Sequence, residues 1–245
     1  MNHCFSGRSR WARLPFAVYM LMVLAACSTD QKSAVKIAGL ERKAHNSLAS
    51  GDLKSAEKDD EKALELDRND PAILNNLAVI LDQEGDRQKA LLEIKKAEKL
   101  RPENSVILLN RARLELEVGH QEKALNVARR ILIQEKWPEG FRTLMGKIDI
   151  DLARYGEAHL FLHEAFERHP ENPLILTYLG IVHYRIGEFF QSKEDFRKAL
   201  AMHPSMGLKR ALLALIQDPG EALDRNKKRI PETTGKTIGK KKEDS

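Results

Sequence analysis

Between Ile37 and Met206 one arrangement of apolar, small and polar positions is written five times. The period is 34 residues without insertion or deletion, in blocks 37–70, 71–104, 105–138, 139–172 and 173–206. Leu74, Leu77 and Leu81, and later Leu176 and Leu179, are three or four apart, which places them on one face of an amphipathic helix. Ile94, Leu162 and Phe196 share one column in the second half of their blocks. Each block therefore predicts two helices. The eighth residue of each block is Ala44, Ala78, Ala112, Gly146 or Gly180, and the twentieth is Ala56, Ala90, Ala124, Ala158 or Ser192. Small residues in fixed columns suit two helices whose backbones cross closely, where larger side chains would overpack the contact. The fifteenth is Gly51, Gly85, Gly119, Ala153 or Gly187, as a turn between paired helices needs. Pro102, Pro170 and Pro204 stop the second helix before the next pair.

A fixed period of this length marks a stacked helix-pair solenoid. Segments such as Leu64–Glu65–Leu66, Asp86–Arg87–Gln88–Lys89–Ala90 and Tyr178–Leu179–Gly180 followed by Gly187–Glu188–Phe189 resemble the tetratricopeptide repeat. The resemblance covers residues 37–206. It implies an all-α solenoid of five antiparallel helix pairs, wound as a right-handed arc with a concave groove.

The blocks are not equal. Block one has Lys43 and Asp60 in columns that are apolar elsewhere, as a terminal capping repeat with one wet face would. Block three carries Arg111 and Glu115 four apart on one helix face, so they can pair. Block four has Arg142 and Asp149 in core-type columns, and Trp137–Pro138–Glu139–Gly140 predicts a bend at its start. Leu208, Leu212, Leu213, Leu215 and Ile216 then form a capping helix over about residues 207–217. Asp218–Pro219–Gly220 breaks the pattern, and residues 218–245 predict a disordered basic tail with Lys227–Lys228–Arg229 and Lys240–Lys241–Lys242.

The amino terminus carries a second signal. Arg8, Arg10 and Arg13 precede an apolar run from Leu14 to Ala26, too short for a comfortable membrane span. Its end, Leu24–Ala25–Ala26–Cys27, resembles a bacterial lipoprotein lipobox. The resemblance implies that residues 1–26 are a signal peptide and that Cys27 becomes a lipidated, N-acylated first residue. This covalent lipid is the only cofactor expected. Residues 27–36 predict a polar tether reaching at most about 30 Å. Ser28 after the cysteine implies the periplasmic face of the outer membrane, with the inner membrane open as an alternative.

Cleavage would remove three arginines and no acid, lowering the net charge of +5 to +2. No aromatic-basic surface signature appears, so nucleic acid is not an expected partner. Cys4 would be lost with the leader, leaving Cys27 alone and no disulfide possible within the chain.

Candidate chemistry is thin. His159 and His163 are four apart beside Glu164, without a third ligand, so no metal site is expected. His183 in a core column reads as a packed, hydrogen-bonded residue. No nucleophile motif or phosphate-binding loop is present, so neither an enzyme nor a small-molecule substrate is expected. The repeat resemblance puts the working surface in the concave groove, on Asn75, Val79, Asp82, Leu109, Arg113, Leu116, Lys147, Ile150, Thr177, Ile181, Tyr184 and Arg185. Such a groove suits an amphipathic helix or extended peptide, anchored on Leu116, Ile150 and Tyr184, with Arg113, Lys147 and Arg185 pairing with acids. A chaperone-tail carboxylate clamp would need Lys and Asn in columns that hold Glu41, His45, Asn76, Val106 and Asn110. Only Asn76 matches, which excludes that ligand class.

In layout the chain resembles the assembly lipoproteins of tight-adherence (Tad/Flp) pili and the pilotins of type IV pili. The resemblance implies a non-enzymatic envelope scaffold that binds a secretin or a pilus assembly protein. The alternative is an adaptor lipoprotein that recruits or regulates cell-wall hydrolases.

Overall fold

A computed structural model describes residues 16–227, with side-chain surroundings over residues 31–224. The basic leader with Arg8, Arg10 and Arg13, the side chain of Cys27 and residues 228–245 lie outside what is described. Among the described residues the chain is all helical: α1 (Phe16–Ala49), α2 (Leu53–Leu66), α3 (Pro71–Gln83), α4 (Arg87–Leu100), α5 (Ser105–Glu117), α6 (Gln121–Leu132), α7 (Phe141–Asp151), α8 (Tyr155–Arg168), α9 (Pro173–Arg185), α10 (Phe189–Ala201), α11 (Met206–Gln217) and α12 (Pro219–Lys227).

The helices pack as five hairpins, α1 with α2 through α9 with α10, and each second helix packs on the next first helix. The first helices α3, α5, α7 and α9 also touch one another in succession, which sets them on the inner face of the stack. Second helices start at Leu53, Arg87, Gln121, Tyr155 and Phe189, keeping the sequence period. Asp70, Asn104 and Asn172 cap first helices by accepting from first-turn amides, as such residues do at helix starts.

The turns confirm the fifteenth column. Gly51, Gly85, Gly119 and Gly187 have φ between 80° and 90°, and Ala153 adopts 57°. In the turn after α3 the Asp86 amide donates back to Leu81 O (2.9 Å), the six-to-one bond that closes a helix through a left-handed residue. The same bond recurs from His120 to Glu115, Arg154 to Asp149 and Glu188 to His183.

The small eighth column answers the large column of the second helix. A Cβ on Gly180 would meet Phe196 Cε1 at 2.5 Å, and one on Gly146 would meet Leu162 Cγ at 2.4 Å. Phe196 and Leu162 are fully buried, so neither can step aside freely. Gly180→Ala is expected to destabilise the fold by about 1–3 kcal/mol, the usual cost of overpacking a filled core. Adding Phe196→Ile, which reproduces the Ala78–Ile94 pairing of block two, should recover part of the loss in thermal or urea unfolding.

Block four starts late: α7 begins at Phe141 after Gly140, which takes φ 79°. Trp137 fills the gap edge-on to Phe141 (centroids 5.2 Å apart), and the Arg142 guanidinium lies over the indole at 4.7 Å. Arg142 is therefore at the surface of the joint, bonded to Glu164 (2.9 Å), while Asp149 is buried.

Three expectations are corrected. Residues 28–36, expected as a polar tether of at most about 30 Å, are helical. They continue α1, because the stretch from Gln31 to Lys36 holds no Gly or Pro to break a helix. Nine helical residues rise only about 14 Å. The tail is not irregular from residue 218: α12 follows, with Asp218 Oδ1 accepting from the Glu221 amide (2.9 Å) and Pro219 in the first turn. Block one's wet face is only half present. Lys43 is exposed, but Asp60 is wholly buried.

Among the described residues no helix is long and apolar enough to cross a membrane.

Candidate functional site: the inner face

The inner face changes character along the stack. At its proximal end Asn110 Nδ2 donates to Asn75 Oδ1 (2.9 Å), joining two repeats. Val79, Leu109 and Arg113 are half-buried beside them. Asp82 is next. Arg87 Nε sits 3.6 Å from its Oδ1 and 3.2 Å from Glu117 Oε2. Burial and the Glu117 carboxylate push the Asp82 carboxyl up, against the pull of Arg113 and Arg87. This middle stretch is a mixed-charge belt.

The distal stretch is apolar. Ile150, Tyr155, Tyr178, Ile181 and Tyr184 pack against the last core cluster, with Lys147 and Arg185 on the same rim. Burial, with Asp151 and Glu117 nearby, pushes the Tyr178 phenol up to about 12. Tyr178 therefore stays protonated as a donor across the physiological range.

Most of the expected groove residues share this face, but two do not present a contact surface. Leu116 is buried in the core cluster around Phe141, so it cannot anchor a ligand. Thr177 is buried too, and its hydroxyl donates to Pro173 O (2.7 Å). The sequence reading missed Asn110, Glu117, Asp151, Tyr155 and Tyr178. Glu117 and Asp151 occupy the same column as Arg185, a charged column that was visible in the repeat register.

Away from this face, three buried polar groups occupy the column of Leu81: Glu115, Asp149 and His183. Glu115 Oε2 meets His120 Nδ1 at 2.8 Å, and its Oε1 lies 3.7 Å from Arg111 Nη2, the pairing the sequence suggested. Arg111 and Arg130 both bond Glu98. Burial pushes Asp149 up to about 6, with Arg154 and Arg129 pulling down. His183 Nδ1 meets Asp195 Oδ2 at 2.6 Å, and Gln191 holds the other oxygen. His183 is thus a packed, hydrogen-bonded residue, as expected. The His159 and His163 rings are 6.0 Å apart, and burial with the neighbouring His183 and His163 lowers the pKa of His159. No trio of metal-ligating side chains comes together among the described residues.

The stacked hairpins, the left-handed turns and the inner face of first helices have the architecture of a tetratricopeptide-repeat solenoid, a fold typical of protein-interaction scaffolds. A family model described as Tetratricopeptide repeat matches residues 71–104, the second block. No curated protein matches the chain. Among solved structures, PilW, described as a widely conserved type IV pilus biogenesis factor, is similar over 85% of this chain and 96% of its own (TM-score 0.65, 16% identity). A thermophilic tetratricopeptide-repeat protein of Thermus thermophilus aligns over 74% of this chain and 99% of its own (TM-score 0.61, 19% identity). MamA from Desulfovibrio magneticus RS-1 aligns over 70% and 97% (TM-score 0.58, 20% identity). At these identities the likeness is one of fold.

Proposed function

We propose that this chain is a lipid-anchored, periplasm-facing scaffold of the bacterial outer membrane. Its inner face holds a protein of a pilus or secretion channel during assembly. The observation that carries the reading is a lipobox-like Leu24–Ala25–Ala26–Cys27 placed directly ahead of an interaction solenoid. Several acyl chains on Cys27 would hold the protein on a membrane without a spanning helix, since each buried methylene contributes about 0.8 kcal/mol and one chain alone anchors only marginally. The likeness in fold to PilW over most of both chains supports a pilus-related partner.

Two measurements test it. Labelled palmitate should be incorporated by the wild-type chain and not by Cys27→Ala, and the variant should leave the membrane fraction. Crosslinked pull-down from envelope extracts should recover secretin or pilus assembly peptides. Recovery of cell-wall hydrolases in their place, or a deletion strain with normal secretin assembly and piliation, would sink the pilus reading.

A further inference from the structure

The distal inner face is already occupied. From Asp218 the chain turns into α12, which packs on α11 and brings Leu223 to the edge of the first helices of blocks four and five. Leu223, only 9% exposed, enters the cluster of Ile150, Tyr178, Ile181 and Tyr184. On one side it walls a cavity of about 280 Å³ with Lys147, Ile150, Tyr178 and Arg185. On the other it borders a larger, open one of about 560 Å³ with Leu174, Tyr178 and Leu208. Gly220 passes so close to Tyr184 that a Cβ there would stand 3.0 Å from the phenol oxygen. The cover is slight: Leu223 is the only residue of α12 that is buried among those described. A nine-residue helix is also too short to hold its own shape without packing.

We propose that this surface is a docking site for a short partner helix that presents a leucine flanked by carboxylates, and that α12 is the internal stand-in such a helix displaces. This rests on the inner face being the partner-binding surface. The chemistry is read from the occupant and the rim together. The slot between Ile150, Tyr178 and Ile181 accepts a branched aliphatic side chain. Lys147, Arg185 and the single acid Asp151 border it, a rim of net positive charge, and Leu223 stands in the chain between the exposed Glu221 and Asp224. Being tethered, α12 acts at an effective concentration in the millimolar range. A partner helix must therefore make further contacts, and the mixed-charge belt around Arg113 and Asp82 lies next along the same face. In this arrangement the empty scaffold keeps its apolar stretch covered, which limits adventitious binding.

The test uses the full chain labelled at isoleucine δ-methyl groups, a Leu223→Asp variant, and a synthetic peptide of residues 217–227 as probe. The variant should move the Ile150 and Ile181 signals and leave those of Ile73 and Ile94 in place. Millimolar peptide should return the two signals toward their wild-type positions, while the wild type should need at least tenfold more peptide to respond. Should the Asp variant disturb Ile73 and Ile94 as well, Leu223→Ala takes its place with the same expectations. Unmoved Ile150 and Ile181 signals, or equal peptide response in variant and wild type, would overturn the proposal. If neither chain captures envelope proteins while the methyl response holds, the envelope-scaffold reading fails and the docking site stands.

Discussion

Asp60→Ala is expected to stabilise the first repeat by about 2–4 kcal/mol at pH 8 and by little at pH 4. Asp60 is wholly buried on α2, and neither carboxylate oxygen has a hydrogen-bond partner. Burial, reinforced by the negative charges of Glu41 and Asp59, pushes its pKa from 3.8 to about 7. An acid whose pKa is raised by folding binds its proton more tightly in the native state. Its contribution is fully present below the unfolded value and is lost as pH rises through the folded one, here between about pH 4 and pH 7. At about 1.36 kcal/mol per unit, the raised pKa sets a ceiling near 4 kcal/mol. The other blocks place Ile94, Ala128, Leu162 and Phe196 in the same column, all fully buried, so an alanine fits the repeat. Repeat solenoids open locally and unit by unit, so amide exchange in α2 is the sharper readout, with urea unfolding beside it. An unchanged difference between wild type and variant across pH 4–8 would show that Asp60 does not titrate in this range. Asp60→Asn removes the charge but keeps unpaired polar atoms, and should gain less.

That carboxylate marks where the repeat register was a sound guide and where it was not. The period placed all five second helices and the turns, because these follow from local geometry repeated in phase. It placed Asp60 in a core column too, but the expectation of a wet terminal face moved it to solvent. Lys43 reaches water and Asp60 does not, since α1, α2 and α3 close around the column. Leu116 failed as a groove anchor for a related reason. It is buried in the cluster that holds Phe141 and Met145, although its column is only half-buried at Leu48, Asp82, Ile150 and Tyr184. The signal for α12 was present and misread. Asp218–Pro219–Gly220–Glu221 breaks one helix and begins the next, since Asp is a favoured cap, Pro is at home in a first helical turn and Glu suits the positive end of a helix. The five-residue spacing of Glu115 with His120 and of His183 with Glu188 was also legible. It recurs across the glycine turn with the charges exchanged, and the second pair stands 3.8 Å apart.

Glu115→Ala should behave in the opposite sense to Asp60→Ala. Glu115 is 1% exposed, but its carboxylate meets the His120 ring at 2.8 Å and two cations, Lys95 at 3.6 Å and Arg111 at 3.7 Å. Burial raises its pKa, but the His120 hydrogen bond with Lys95 and Arg111 outweighs burial and holds the carboxyl below its usual 4.5. Removing it leaves Arg111 half-buried with Glu98 as its remaining partner, and His120 without its acceptor. Breaking a buried ion pair from one side costs about 3–5 kcal/mol. Because Arg111 keeps Glu98, about 2–4 kcal/mol is expected at pH 7. A depressed acid contributes stability above its unfolded pKa and loses it as pH falls through the folded one. The gap between wild type and Glu115→Ala should therefore be full at pH 6–7 and close below about pH 4.5, where the Asp60 gap also closes from the other direction. Glu115→Leu supplies the Leu81 residue of block two and restores packing without the charge, so it should lose less than the alanine. A His120→Ala double-mutant cycle isolates the pair. Coupling of about 1 kcal/mol or more would identify the 2.8 Å contact as the main source of the stabilisation, and coupling near zero would assign it to Lys95 and Arg111 instead.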